Sequence, residues 1–121
     1  MRRAGDNIAI GSSALRGMNA GSGNTGSDNT ALGFGTLLLN KSGSYNNAFG
    51  RSALNTNSTG SHNNVMGYQA LYFNTTGSYN NAIGYQASAN WNTTGSYNNA
   101  IGYQSLFNAT GSSLNGIGWS T

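Results

Sequence analysis

One motif of about 17 residues returns along the chain, and this repeat constrains the fold more than any other feature. The unit reads Gly-Ser-x-Asn-x-Ala-Z-Gly-x-x-Ala-Leu, then a variable segment and Asn-x-Ser/Thr, where Z is a large apolar residue. Successive units are separated by 17, 17, 17, 18 and 16 residues and begin at Gly26, Gly43, Gly60, Gly77, Gly95 and Gly111. A nearly constant period of this length is typical of a solenoid, in which each unit is one coil.

Two apolar positions keep their chemistry from unit to unit. A small residue precedes Z and a glycine follows it. The Z residues are Ile10, Leu32, Phe49, Met66, Ile83, Ile101 and Ile117. The second apolar position holds Leu15, Leu37, Leu54, Leu71 and Leu106. Disorder does not require this regularity, so a solenoid is favoured, while stacked Asn and Tyr residues keep cross-β aggregation as an alternative.

The repeat predicts an all-β fold, a parallel β-solenoid of six to seven coils of about 17 residues in a single repeat domain, 1–121. Gly and Asn are poor helix formers, and the unit is too short for a βαβ element. A divergent first coil is expected at about 4–25, regular coils at 26–110 and an incomplete last coil at 111–121.

Each coil is predicted to contain two short strands, Asn-x-Ala-Z-Gly and x-x-Ala-Leu, that pair with the next coil at about 4.8 Å. The Z residues are predicted to form the core, so Ile83→Asp would bury an unpaired charge and break the stack. The glycines after Z, such as Gly84 and Gly102, are predicted to require either a positive φ angle or a close approach of two chains.

Asparagines recur at two neighbouring positions and predict two ladders along the stack. The first ladder comprises Asn29, Asn46, Asn63, Asn80 and Asn98. The second comprises Asn47, Asn64, Asn81, Asn99 and Asn115. Length changes between units fall within 17–26, within 88–91 and near Phe107, and these segments are predicted to be surface corners.

The charge pattern argues against nucleic-acid and membrane partners. The chain has five Lys and Arg residues, two acidic residues and a formal net charge of +3. Five scattered cations do not form the basic face of a nucleic-acid site. No segment approaches the roughly 20 apolar residues of a membrane helix. We therefore expect neither nucleic-acid binding nor membrane insertion.

No pattern supports catalysis, a cofactor or a metal, and we expect a protein that is not an enzyme. A Gly-x-Gly-x-x-Gly match at 21–26 lacks the strand, helix and acidic residue of a nucleotide site. His62 occupies the position of Tyr45 and Tyr79, which makes it a variant of an aromatic column. Asp6 and Asp28 provide too few ligands for calcium or zinc.

Aromatic residues occupy two positions of the unit. One holds Tyr45, His62, Tyr79 and Tyr97, and the other holds Phe34, Tyr68, Tyr85, Tyr103 and Trp119, interrupted by Arg51. Stacking between coils is one interpretation. The other is contact with a host-surface glycan or receptor, because aromatic faces provide large contact areas. The residues proposed for that contact are Tyr68, Gln69, Tyr85, Gln86, Tyr103, Gln104 and Trp119.

Two further surface hypotheses arise at the corners. Asn-x-Ser/Thr recurs at one position, so outward glycosylation sites are predicted at Asn40, Asn57, Asn74, Asn92 and Asn108. A column of Thr59, Thr76, Thr94 and Thr110 suggests ice or crystal-surface binding. One column gives this second hypothesis less support than a flat, two-column face would.

The segment Gly77-Ser-Tyr-Asn-Asn-Ala-Ile-Gly-Tyr-Gln-Ala87 resembles the head repeats of YadA-like trimeric autotransporter adhesins and the related repeats of phage and viral tail fibres. The resemblance extends from about Asn7 to Trp119, although the coils are longer than typical adhesin head repeats. It implies a left-handed parallel β-roll, three chains wide, in an adhesive or spacer fibre. No stalk-like coiled coil, anchor barrel or chaperone domain accompanies it, which favours a fibre segment over an autotransporter.

The expected function is therefore a structural or adhesive fibre segment, extracellular on a cell surface or on a virion. The thin core of a single coil predicts additional burial against other copies, as a homotrimer. An alternative is a filament subunit that stacks head to tail, because no capping repeat is evident at either end.

Overall fold

The computed structural model describes residues 5–17, 25–89 and 94–121, and it confirms a parallel β-solenoid. Seven three-residue strands form one sheet in chain order. They are β1 (Ile8–Ile10), β2 (Thr30–Leu32), β3 (Asn47–Phe49), β4 (Asn64–Met66), β5 (Asn81–Ile83), β6 (Asn99–Ile101) and β7 (Asn115–Ile117). Equivalent residues of neighbouring units pair in register, as Ala48 does with Val65.

Each strand is short because left-handed backbone conformations bracket it. In the unit that begins at Gly43, Tyr45 has φ 58° and Gly50 has φ 122°, on either side of β3. The glycine that follows each strand also lies against the glycine of the next coil: a Cβ on Gly50 would be 2.9 Å from the carbonyl carbon of Gly67. Both reasons predicted for Gly84 and Gly102 are confirmed, with φ angles of 135° and 125°.

The second predicted strand of each coil is wrong. The Ala-Leu segment bonds to the next coil, and the Leu71 amide donates to the Ala87 carbonyl at 2.9 Å. However, Gln69 and Leu71 have φ angles of 52° and 47°, so the backbone turns instead of extending. A left-handed leucine costs about 1 to 2 kcal/mol. Complete burial of the Leu71 side chain, worth about 1.5 to 3 kcal/mol, offsets that cost.

The interior consists of small residues packed against the leucine column. The small residue of the strand is buried in six units, at Ala31, Ala48, Val65, Ala82, Ala100 and Gly116, and the buried leucines are Leu37, Leu54 and Leu71. These two columns lie in direct contact, since a Cβ on Gly116 would be 2.6 Å from Cγ of Leu106. The coil is therefore too narrow for a large side chain at the strand.

The predicted Z core is wrong for the single chain. Five Z residues are exposed, namely Ile10, Met66, Ile83, Ile101 and Ile117, with exposed fractions of 40 to 73%. Leu32 and Phe49 are half-buried. Side chains alternate across a strand, so the residue next to a buried alanine must point outward. The same correction removes the reason for expecting Ile83→Asp to break the coil itself.

The first predicted Asn ladder is confirmed and lies inside the solenoid. Asn63 is fully buried, and its backbone amide donates to Oδ1 of Asn46 at 3.0 Å. Its Nδ2 donates to the carbonyl of Gly77 at 3.0 Å, and its Oδ1 accepts the Asn80 amide at 2.9 Å. Each such side chain therefore satisfies two backbone groups of the next coil, which allows a polar residue to occupy the core.

Candidate functional site

Four columns of exposed or half-exposed side chains lie on the sheet and beside it, and together they are named the outer face. In the unit that begins at Gly43 these are Tyr45, Asn47, Phe49 and Arg51, at alternate positions. The other coils contribute the equivalent residues. All four positions are exposed or half-exposed. From β3 to β7, Arg51 is the only formally charged residue in the four columns. From β3 to β7 this outer face therefore combines aromatic, amide and aliphatic columns with almost no charge, whereas the first two coils place Asp6 and Asp28 at the Tyr45 position.

The second predicted Asn ladder forms on this outer face. Nδ2 of Asn47 donates to Oδ1 of Asn64 at 3.0 Å, and Asn64 donates in the same way to Asn81 at 3.2 Å. The ladder continues to Asn99 and Asn115, with both distances 2.8 Å. Because each amide has two N–H donors and two acceptor positions, a ladder amide retains hydrogen-bonding capacity toward a neighbour on this face.

Both aromatic columns form as stacked arrays. His62 lies between Tyr45 and Tyr79, with ring centroids 4.9 and 4.8 Å apart, and Tyr79 stacks on Tyr97 at 5.1 Å. The interplanar angles of 11°, 2° and 1° make the rings nearly parallel. His62 is therefore a member of the aromatic column, as predicted.

The second column contains the residues predicted to contact a ligand. Tyr85 stacks on Tyr68 at 5.2 Å and on Tyr103 at 5.1 Å, while Trp119 is tilted by 48°. Arg51 lies over the ring of Phe34, 5.3 Å from its centroid. Stacking at this spacing covers the faces of the inner rings and leaves their edges and hydroxyl groups open to a partner, whereas Trp119 at the end of the column is 76% exposed. Ligand contact at this column stays a prediction.

The glutamines beside this column form a third ladder. Nε2 of Gln86 donates to Oε1 of Gln69, and Nε2 of Gln104 donates to Oε1 of Gln86, both at 2.9 Å. These side chains are half-buried. The ladder holds the amide planes in a fixed orientation and leaves Gln86 with one N–H donor and one acceptor position.

The glycosylation prediction is wrong for three of its five residues. Asn40, Asn57 and Asn74 are completely buried. Nδ2 of Asn57 donates to Oδ1 of Asn40 at 2.7 Å and to the Gly60 carbonyl at 2.8 Å, so the atom that would carry a glycan is occupied. The Asn side chains of these three triplets therefore point into the coil and do not lie on the surface. Asn108 is exposed, and Asn92 lies outside the described residues.

Several other candidates contribute no recognisable chemistry. In residues 5–17, 25–89 and 94–121, no three His, Cys, Asp or Glu side chains are grouped as metal ligands would be. The same residues include no helix long and apolar enough to span a membrane. The predicted corners within 17–26 and 88–91, and the glycine-rich match at 21–26, lie largely outside the described residues. The column of Thr59, Thr76, Thr94 and Thr110 is exposed at a corner.

Sequence reasoning missed a concave surface beside the glutamine ladder. A cavity of about 280 Å³ is lined by Gln69, Tyr72, Phe73, Gln86, Ala89 and Phe107. The available signal was a spacing of three residues, which relates Gln69 to Tyr72, Gln86 to Ala89 and Gln104 to Phe107. That signal shows proximity only once the coil geometry is known.

Comparison with known proteins identifies no relative. No protein-family model, curated protein or solved structure matches the chain. The fold and the surfaces described above therefore carry the functional argument.

Proposed function

We propose that the chain is a structural segment of a surface fibre, in which copies associate side by side through the outer face as a homotrimer. The observation that carries this proposal is the exposed column of Z residues, an uninterrupted apolar stripe along the sheet. Monomeric soluble proteins rarely expose continuous apolar patches of more than a few hundred Å². Burial of this column requires a partner that is as long as the sheet.

A second copy of the chain is the partner that fits best. Its coils repeat with the same rise, so ridges and hollows of two outer faces stay in phase along their length. The face includes a hollow of about 220 Å³ lined by Asn47, Phe49, Asn64, Val65, Met66 and Ile83, into which an apolar side chain of another copy would fit. The near absence of charge from β3 to β7 also lets this part of two identical faces approach without repulsion.

Ile83→Asp tests this assembly. The wild-type chain is expected to have three times the 12.5 kDa chain mass in native mass spectrometry and light scattering. The variant is expected to be a folded monomer, because a carboxylate in the middle of the interface would be desolvated without a partner. Thr76→Asp adds the same charge at an exposed corner and is expected to stay trimeric. A wild-type chain that is a stable folded monomer would contradict the proposal.

Such a fibre would act outside the cell or on a virion, as a spacer or as an adhesive surface that presents repeated loops and aromatic columns. A second candidate is a filament subunit that stacks end to end. The observation in its favour is that β1 pairs only with β2 and β7 only with β6, so each terminal strand of the described sheet has one open edge. Long filaments in electron micrographs of purified protein would support end-to-end stacking, and uniform short rods would exclude it.

A further inference from the structure

The cavity beside the glutamine ladder arises where a small residue lies between two aromatic residues of the same column. Tyr72, Ala89 and Phe107 occupy the same position in three successive coils. Ala89 leaves a gap, with Tyr72 one coil before it and Phe107 one coil after it. At a spacing of about 4.8 Å per coil, the two aromatic residues are roughly 10 Å apart. That separation leaves room for one flat ring between them.

The gap, here named the ring slot, has an apolar floor and a polar wall. Ala89 forms the floor and is 5% exposed, while the amides of Gln69 and Gln86 form the wall. Phe73 closes one side. It contacts Tyr72 edge to face, with centroids 4.6 Å apart and planes at 70°. Parallel stacking between these two rings therefore does not cover their faces. In this respect the ring slot differs from both stacked aromatic columns.

The lining defines the chemical class of the ligand. No lining residue is charged, so an ionic ligand would lose hydration without gaining a counter-charge. An entirely apolar ligand would cover the remaining donor and acceptor positions of the Gln86 amide without pairing them. A pyranose ring satisfies both requirements, because its C–H faces pack on aromatic rings and its hydroxyl groups bond to amides.

We propose that the ring slot binds one ring of a neutral saccharide, held between Tyr72 and Phe107 and hydrogen-bonded to Gln69 and Gln86. The site is contained in a single chain and uses none of the outer-face columns. It therefore does not depend on the trimer, and binding is expected to persist in the monomeric Ile83→Asp variant.

The test is a titration of the uniformly labelled full chain with cellohexaose, maltohexaose and N-acetylchitohexaose, followed through its backbone amide resonances. At least one sugar is expected to shift the signals of Gln69, Gln86 and Ala89. Affinity for one ring is expected to be millimolar, so sugars are added to roughly 10 mM. No shift with any of the three sugars at that concentration would overturn the proposal.

Two variants locate the binding. Ala89→Phe fills the slot with the residue type that the next coil carries at this position, and it is expected to weaken binding at least tenfold. Leu38→Phe adds an aromatic ring at the same position of an earlier coil, outside the slot, and is expected to leave affinity within twofold. Phe107→Ala removes one wall and provides a second loss-of-binding variant. If a variant of this pair, Ala89→Phe or Phe107→Ala, folds and binds the sugar as tightly as the wild type does, the assignment is refuted.

A comparison of two ligands distinguishes sugar binding from the binding of an aromatic peptide side chain, because both ligands have a flat ring. N-acetyltryptophanamide is expected to shift the same resonances less than the best hexasaccharide at equal concentration. If the tryptophan analogue binds more tightly than all three sugars, the slot accepts an aromatic side chain and the saccharide proposal fails.

Discussion

Asn63→Leu is expected to destabilise the solenoid by roughly 1 to 3 kcal/mol, although leucine is of similar size and more apolar. The substitution removes the acceptor of the Asn80 amide and one of the two donors to the Gly77 carbonyl, which keeps its bond from Nδ2 of Asn74. Each buried group left without a partner costs about 1 to 3 kcal/mol. Chemical denaturation, followed by circular dichroism at one fixed chain concentration, measures the difference.

The neighbouring residue provides the matched control. Asn64 is exposed, and its side chain bonds only to other Asn side chains of the outer ladder, at positions that water reaches. Asn64→Leu is expected to change the free energy of unfolding by less than about 1 kcal/mol. If both substitutions cost the same, the buried ladder does not have the structural role inferred for it.

Gly84→Ala is expected to be about as damaging, although it adds a single methyl group. Gly84 has φ 135°, a region that is essentially restricted to glycine, and strain there costs about 1 to 3 kcal/mol. The new Cβ would also be 2.7 Å from the carbonyl carbon of Gly102 and nearer still to its oxygen. Since backbone blocks the methyl group, the two coils must separate locally.

The expected result is a melting temperature lower by about 10 °C or more, at roughly 4 °C per kcal/mol for a domain of this size. Gly111→Ala is the control. A Cβ there would meet only Leu114, at an ordinary 3.6 Å, and its φ angle is not in the left-handed range. Gly111→Ala should leave the melting temperature nearly unchanged. Similar shifts in both variants would mean that coil spacing is not limited at the glycine column.

The candidate surfaces could be predicted from the sequence in part. Their columns follow from the repeat, so the stacking of Tyr45, His62 and Tyr79 and the proximity of Gln69 to Gln86 were predictable. Which faces of the rings stay open was not, because it depends on the separation of the coils and on side-chain rotation. The ring slot depends in addition on Ala89 meeting Phe107, a residue of the next coil.

The repeat by itself determined the solenoid, the register of its strands and the two Asn ladders, because residues at one position of equal-length coils must stack. It also determined the glycine column, since only glycine recurs after each strand. The tertiary structure decided which of two neighbouring strand residues, the small one or the large one, faces inward. Hydropathy favours Ile83 over Ala82 for the core, yet the leucine column lies too close for a large side chain, so alanine is buried and isoleucine is exposed.

The same physical reason explains the other differences. Leu71 adopts a left-handed φ angle because the narrow coil must turn where its leucine is buried, and intrinsic preference does not predict that conformation. Asn57 faces inward, although its triplet matches a surface glycosylation pattern, and inside the corner its side-chain amide bonds to the Gly60 carbonyl and to Oδ1 of Asn40. Local sequence specified the order of the residues around the coil, and the width of the coil decided which of them are buried.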